Sequence, residues 1–319
     1  MELFIKLLIC LLSLASFKAY SFDINVTDKD IDATNQYIAT KWDQINRSVD
    51  MFFTEQNTKT AENKSSVFVY GSFYKKEGQK IDNKFDFQLK FDFPNTTKKL
   101  KIVIEKEQDD ISNAISDTSV STNKELTKDG RVVNKSDNNY TAGADYFLTQ
   151  TEYFVSFIHF GIRLDMPLNP NLKLDLVKDY KTNFMNIGLS QKFIYYRQEG
   201  FQNISHLSLN KKLTEKLQTD FVNSIVWSDE TDEFVFRHNL LLYQNLGKEK
   251  TLSYSIGANA KFSPTYYYDS YDASISYRQL LYHDWLYATF TYGADFPKVS
   301  HYRQEQFLQF RVDIFFKEK

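Results

Sequence analysis

Residues 286–296 read LYATFTYGADF and alternate between two kinds of side chain for eleven positions. One set is apolar or small (Leu286, Ala288, Phe290, Tyr292, Ala294 and Phe296), and the other contains Tyr287, Thr289, Thr291, Gly293 and Asp295. Because successive side chains of a β-strand point to opposite faces, this period of two predicts a strand with one apolar face. Strands of soluble sheets cluster near roughly 5–6 residues, whereas a tilted strand needs about 9–11 residues to cross a bilayer. The segment therefore has the length and pattern of a membrane-crossing strand.

The same pattern recurs along most of the chain, for example in 85–93, 252–262 and 308–316. It predicts fourteen strands, at 66–74, 83–93, 98–106, 140–149, 152–166, 170–179, 183–197, 200–211, 215–228, 233–245, 250–263, 267–280, 284–296 and 304–316. Twelve is the alternative, because the alternation is weakest in 140–149 and 170–179. The predicted fold is all-β, a transmembrane antiparallel up-and-down β-barrel spanning residues 66–319.

One connection between the predicted strands is much longer than the others. Residues 107–139 are acidic, rich in Ser, Thr and Asn, and have no apolar pattern. An even number of strands returns both ends of the chain to the periplasm, and long loops of bacterial barrels lie outside the cell. We therefore expect 107–139 to be an extracellular loop.

The first 21 residues have the features of a secretory signal peptide. Lys6 precedes an apolar run from Leu7 to Leu14, and small residues stand at Ala19 and Ser21 before the expected cleavage site. The run is too short to span about 30 Å of hydrocarbon as a helix. Cys10, the single cysteine of the sequence, lies in this run, so the mature chain is predicted to contain no cysteine.

Residues 22–65 are predicted to form a periplasmic segment with one amphipathic helix at about 28–54, followed by a polar linker. An apolar stripe recurs at helical spacing: Ile31, Ile38, Trp42, Ile45, Val49 and Phe52. The opposite face carries Asn35, Lys41, Asp43, Asn46, Arg47 and Asp50. An isolated helix of this length is marginal in water, so the stripe must be buried. A lumen plug would set it against polar side chains, and the mixed charges disfavour the membrane surface, which leaves a periplasmic partner or the rim of the barrel.

The C-terminal strand resembles the segment by which bacterial outer-membrane proteins are recognised by the barrel-assembly machinery. Phe310, Val312, Ile314 and Phe316 alternate up to a final aromatic residue, although Lys317, Glu318 and Lys319 follow it. The stretch that begins at 277, YRQLLYHDWLY, also resembles a strand–turn–strand of uncharacterised proteobacterial outer-membrane proteins. The resemblance implies a Gram-negative outer membrane, with the assembly machinery and outer-membrane lipid as partners.

Catalytic and binding motifs are sparse. His206, Ser208 and Asn210 lie on one face of a predicted strand, as in barrel phospholipases, but the glycine of that motif is absent and alignment with a third group cannot be read from spacing. We identify no cofactor or metal motif. The net charge of −2 gives no basic surface for nucleic acid.

The remaining candidate site is the lumen. If the apolar half of each strand meets lipid, charges of both signs point inward: Lys90, Asp92, Arg163, Asp165, Asp220, Arg237, Lys261, Asp272, Arg278, Arg311 and Asp313. Such charges can set the selectivity of a pore or pair within a closed barrel. The leading hypothesis is a porin-like channel for small solutes. The others are a structural or assembly-type barrel whose helix binds a periplasmic partner, and a lipid-modifying barrel enzyme.

Overall fold

The computed structural model describes residues 28–52, 66–92, 100–106, 140–164, 167–262 and 264–316. Within these ranges the chain forms one α-helix, α1 (Asp28–Phe52), fourteen β-strands and a 3₁₀ turn at Lys298–Ser300. The strands are β1 (Ser66–Lys76), β2 (Asp82–Asp92), β3 (Leu100–Lys106), β4 (Tyr140–Gln150), β5 (Phe154–Arg163), β6 (Asn169–Lys181), β7 (Asn186–Tyr196), β8 (Gly200–Lys212), β9 (Leu217–Ser228), β10 (Glu233–Gly247), β11 (Lys250–Phe262), β12 (Tyr266–Tyr282), β13 (Leu286–Pro297) and β14 (Glu305–Phe316).

The strands close into a single antiparallel barrel. Each strand pairs with its neighbours in sequence, and β1 completes the ring by pairing with β14, from Val67 opposite Phe316 to Lys76 opposite Phe307. The two segments with the weakest alternation form full strands, β4 and β6. The prediction of fourteen strands is therefore confirmed, and the twelve-strand alternative is wrong. Closure pairs the edge strands, as a sheet in hydrocarbon requires.

The barrel carries its apolar residues on the outside. On β13, Phe290 is 50% exposed, whereas Thr289 and Thr291 are 2% and 0% exposed. On β14, Leu308 and Phe310 are exposed while the alternating polar side chains are buried. A protein in water would show the reverse arrangement, because exposed apolar surface is unfavourable there. The outer face is that of a membrane-spanning barrel.

The two ends of the barrel differ in their connections. We call the end where β1 begins and β14 ends the terminal end, and the opposite end the loop end. At the terminal end, β10 and β11 are joined through Lys248 and Glu249, both with positive φ (49° and 57°). Two such residues in succession form a type I′ turn, whose twist matches that of a β-hairpin. At the loop end β3 leads into the segment 107–139, which lies outside the described residues.

Helix α1 packs on the outer face of the barrel, across the seam between β1 and β14. The ring of Trp42 lies 4.4 Å from that of Phe91, and the Asn35 side chain donates a hydrogen bond of 3.2 Å to the carbonyl oxygen of Phe315. Ile38, Ala39 and Trp42 join one apolar cluster with outward side chains of β1, β2, β13 and β14, namely Val67, Val69, Leu89, Leu286, Val312, Ile314 and Phe316. The helix therefore covers the outside of the barrel at its terminal end.

The contact face of α1 is rotated from the predicted stripe. Ile38 and Trp42 contact the barrel, but Ile45 is 51% exposed. Asn35 and Asp43, which the sequence pattern places on the opposite face, are buried. That part of the prediction is wrong, because Asn35 binds a strand carbonyl that no helical pattern reveals. The side chains of three stripe residues lie outside the described part: Ile31, Val49 and Phe52. No described helix is long and apolar enough to cross a membrane.

Candidate functional site

The candidate site is the inner wall of the barrel, built from the alternate positions of the strands. Arg237 on β10 reaches across β11 to Asp272 on β12, with 2.9 Å between Nη2 and Oδ2 and a second contact from Nη1. Gly257 on β11 lies under this pair, where a Cβ atom would collide with the guanidinium. Side chains two strands apart converge only on the concave face of a curved sheet. The pair therefore marks the interior.

A second ion cluster lies two strands further along the wall. Asp313 on β14 is fully buried and accepts hydrogen bonds from Arg278 Nη1 at 2.9 Å and from Arg311 Nε at 2.5 Å. The Arg278 guanidinium lies 4.5 Å from the ring centre of Tyr287, and that of Arg311 lies 4.2 Å from that of Tyr70. Two positive groups share one carboxylate here, and the faces of the aromatic rings stabilise the excess positive charge.

The other charges named from the sequence are more dispersed. Lys261 lies 3.9 Å from Glu233, and Arg163 pairs with Glu199 while its guanidinium lies 4.5 Å from the ring centre of Tyr196. Asp220 is buried on β9, and Lys90 is half-buried on β2. The side chain of Asp92 and the whole of Asp165 lie outside the described residues.

Several interior groups lie outside the set of inward charges predicted from the sequence. His159 Nδ1 lies 2.6 Å from Asp145 Oδ1, and its ring packs against the wall at Gly143 and Gly161, where a Cβ atom would collide with it. The sequence feature that accompanies this histidine is a pair of glycines that face each other on β4 and β5. Their pairing is visible only when the register of the two strands is known. Lys192 on β7 and Asp175 on β6 form a further ion pair at 3.7 Å. Both residues occupy the inward positions of their strands, so the alternation could have identified them.

The interior also contains apolar clusters. The sequence pattern predicted a polar lumen and did not predict them. One lies between β7 and β10 and comprises Ile194, Tyr196, Ile204, Val226 and Val235. The other lies near the terminal end beside the Asp313 cluster and comprises Phe68, Tyr70, Tyr287, Phe315, Leu280 and Trp285. Both sets are stabilised by burial away from water. The inner wall is therefore mixed, with ion pairs set between aromatic and aliphatic patches.

Side chains fill part of the barrel. Fourteen strands spaced about 4.8 Å apart and tilted by about 40° give a round barrel a backbone diameter of about 28 Å. Long side chains project into that space and pack there, because Arg237, Arg278 and Arg311 are all buried. Any passage through the barrel is accordingly narrower than the backbone diameter.

The residues that resemble a lipase motif do not form a catalytic triad with one another. His206, Ser208 and Asn210 share the inner side of β8, but His206 Nδ1 lies 2.8 Å from the hydroxyl of Ser224 on β9. A serine nucleophile needs a base within hydrogen-bonding reach, itself oriented by a third group. Within the described ranges, no three His, Cys, Asp or Glu side chains are grouped to hold a metal ion.

Comparison with known proteins finds barrels at low sequence identity. The outer membrane channel DcaP of Acinetobacter baumannii is 8% identical, with a TM-score of 0.49 over 82% of this chain and 100% of that one. A loop-deletion form of OmpT, an outer membrane protein of Vibrio cholerae, is 7% identical, with a TM-score of 0.47 over 80% and 99%. The NanC porin is 7% identical, with a TM-score of 0.36 over 55% and 93%. No protein family and no curated protein matches the chain. The barrel assignment rests on the strand pairing itself.

Proposed function

We propose that this chain is a porin-like channel of a Gram-negative outer membrane that passes small polar solutes through the interior of its barrel. The proposal rests on the contrast between the two faces of each strand. Phe290 is exposed on the outside, whereas Arg278, Arg311 and Asp313 form an ion cluster on the inside. A barrel of eight strands is just filled by its own side chains, and fourteen strands enclose a wider space.

The charges of the inner wall indicate the class of solute. Positive and negative groups are paired with each other at close range, as in Arg237–Asp272 and Lys192–Asp175. Apart from the Asp313 cluster, where two guanidinium groups share one carboxylate, the paired charges leave little net field along a passage, so the wall favours neither cations nor anions strongly. We infer that the solutes are small and polar, either uncharged or carrying both signs.

The packed interior also favours a second candidate, a barrel with a structural role. Buried ion pairs such as Arg278–Asp313 can hold a closed barrel together without lining a route for solutes. In that case α1 would be the functional element. Tyr37 and Ile45 remain exposed on it and would be available to a periplasmic partner.

The location and orientation of the chain belong to the same proposal. We propose that residues 1–21 are removed as a signal peptide and that residues 22–65 lie in the periplasm. The terminal end of the barrel would then face the periplasm, and the segment 107–139 would face outward. Protease treatment of intact cells, with an epitope inserted in 107–139 and another after residue 319, tests this orientation: only the first should be removed.

Conductance separates the two candidate functions. The purified full-length barrel, reconstituted into planar bilayers, should give discrete single-channel steps with weak preference between cations and anions. Heat-denatured protein from the same preparation is the control. A folded barrel that inserts and gives no conductance would contradict the channel proposal and favour the structural role.

A further inference from the structure

In the described part of the barrel, the outer face carries one group of polar side chains near the middle of the strands, which we call the outer polar patch. It comprises Gln191 on β7, Asn203 and Ser205 on β8, Asn223 on β9 and His238 on β10. The pairing aligns these strands so that Gln191 is opposite Ser205, and Asn223 is opposite both Leu207 and His238. Their sequence neighbours, such as Lys192, His206 and Arg237, belong to the inner wall.

The members of the outer polar patch are hydrogen-bonded to one another. Gln191 Nε2 donates to Asn203 Oδ1 at 2.7 Å, and the Ser205 hydroxyl donates to Gln191 Oε1 at 2.7 Å. His238 Nδ1 pairs with Asn223 Oδ1. These bonds use only part of the capacity of the groups. Within the described part of the chain, the amide nitrogens of Asn203 and Asn223 and the Nε2 atom of His238 make no further hydrogen bond.

The patch is confined to four successive strands. On each of the other ten strands in the described part of the chain, the outward residue nearest the middle is apolar or glycine. Those residues are Gly71, Phe87, Ile102, Ala144, Ile158, Leu174, Ile256, Ala273, Phe290 and Phe310. The barrel therefore has one sector of its outer surface whose chemistry differs from the rest at the same depth.

Hydrocarbon is a poor environment for this sector. A polar group in the middle of a bilayer finds no water, so each donor or acceptor without a partner is costly. The groups would be satisfied if protein rather than lipid covered the patch. Exposed apolar residues surround it, including Leu189, Phe221, Ile225 and Leu240, and would pack around such a contact.

We propose that the outer polar patch is the contact surface between two copies of this chain in the membrane. A second copy sits at the same depth, so it presents the same carboxamides and the same imidazole opposite the first. A carboxamide both donates and accepts, which makes the patch complementary to itself. Lipid tails offer no such groups, and symmetric self-association is the commonest form of oligomer. The proposal rests on the membrane-spanning barrel and not on conduction.

Cysteine cross-linking in the membrane tests the contact. In a Cys10→Ser background, which removes the single cysteine of the sequence, Asn223→Cys should give a disulfide-linked dimer on oxidation. Phe290→Cys, outward and mid-strand on β13, is the matched control and should remain monomeric. Absence of the dimer from Asn223→Cys, or equal cross-linking of both variants, would overturn the proposal.

Removal of the polar groups gives an independent test. The triple variant Asn203→Leu, Asn223→Leu, His238→Leu should run as a monomer in mild detergent, whereas the unaltered chain should run as an oligomer. Retention of heat-modifiable migration on gels checks that the barrel has folded. Gln279→Leu, an outward polar residue near the end of β12, is the control and should leave the oligomer intact. A monomeric unaltered chain, or an oligomer that survives the triple substitution, would overturn the proposal.

Discussion

Asp313 holds the most enclosed charge cluster of the described barrel, because its buried carboxylate lies between two guanidinium groups. Asp313→Asn would remove the carboxylate that the buried Arg278 and Arg311 share, and breaking a buried ion pair typically destabilises a protein by about 3–5 kcal/mol. Glu152→Gln is the control, since Glu152 and Lys181 form an ion pair with side chains 64% and 60% exposed. That change should cost less than about 1 kcal/mol. Equilibrium unfolding in lipid vesicles measures both, and equal effects would contradict the burial of the Asp313 cluster.

Phe290 tests the sidedness of the strands. It lies midway along β13 and points outward, so Phe290→Arg would place a charge in hydrocarbon and should destabilise the barrel by about 2–4 kcal/mol. Phe296 points outward on the same strand but near its end. Phe296→Arg should cost about 0–1 kcal/mol, because an arginine there can reach the interface. Urea titration of the two variants in vesicles compares them, and no dependence on depth would show that this face does not meet lipid.

At the scale of elements, the strands were predictable and the docking of the helix was not. Alternation with a period of two is a local property, so it located β13 and β14 and even the weaker β4 and β6. The contact face of α1 depends on a particular carbonyl at the end of β14, which Asn35 binds. A helical stripe therefore found Ile38 and Trp42 but placed Asn35 and Asp43 on the wrong face.

The external position of α1 leads to a prediction about its removal. Deleting residues 22–60 would expose Val67, Ile314 and Phe316, which are apolar and can be covered by lipid. We therefore expect the shortened chain to fold as a heat-modifiable barrel with unchanged single-channel conductance. A large rise in conductance would mean that the helix occupies the lumen.

At the scale of the whole molecule, closure creates contacts that no local pattern contains. Arg237 and Asp272 are separated by an entire strand and meet because the sheet is curved and Gly257 leaves room between them. Arg278 and Asp313 are similarly brought together across β13. The sequence identified these residues as inward charges, but their pairing depends on the register of three strands. The apolar clusters of the interior were not predicted for the same reason. Alternation predicts the face on which a side chain lies but not the side chains that it contacts.

Adjacent cysteines on the two faces of one strand test whether solutes pass through the interior of the barrel. In the Cys10→Ser background, Ser274→Cys on β12 places a thiol on the inner wall near Asp272, and Ala273→Cys places one on the outside. A charged, membrane-impermeant thiol reagent applied during single-channel recording should reduce the conductance of Ser274→Cys and leave that of Ala273→Cys unchanged. A current that is insensitive at Ser274→Cys, or equally sensitive in both variants, would contradict passage through the barrel interior.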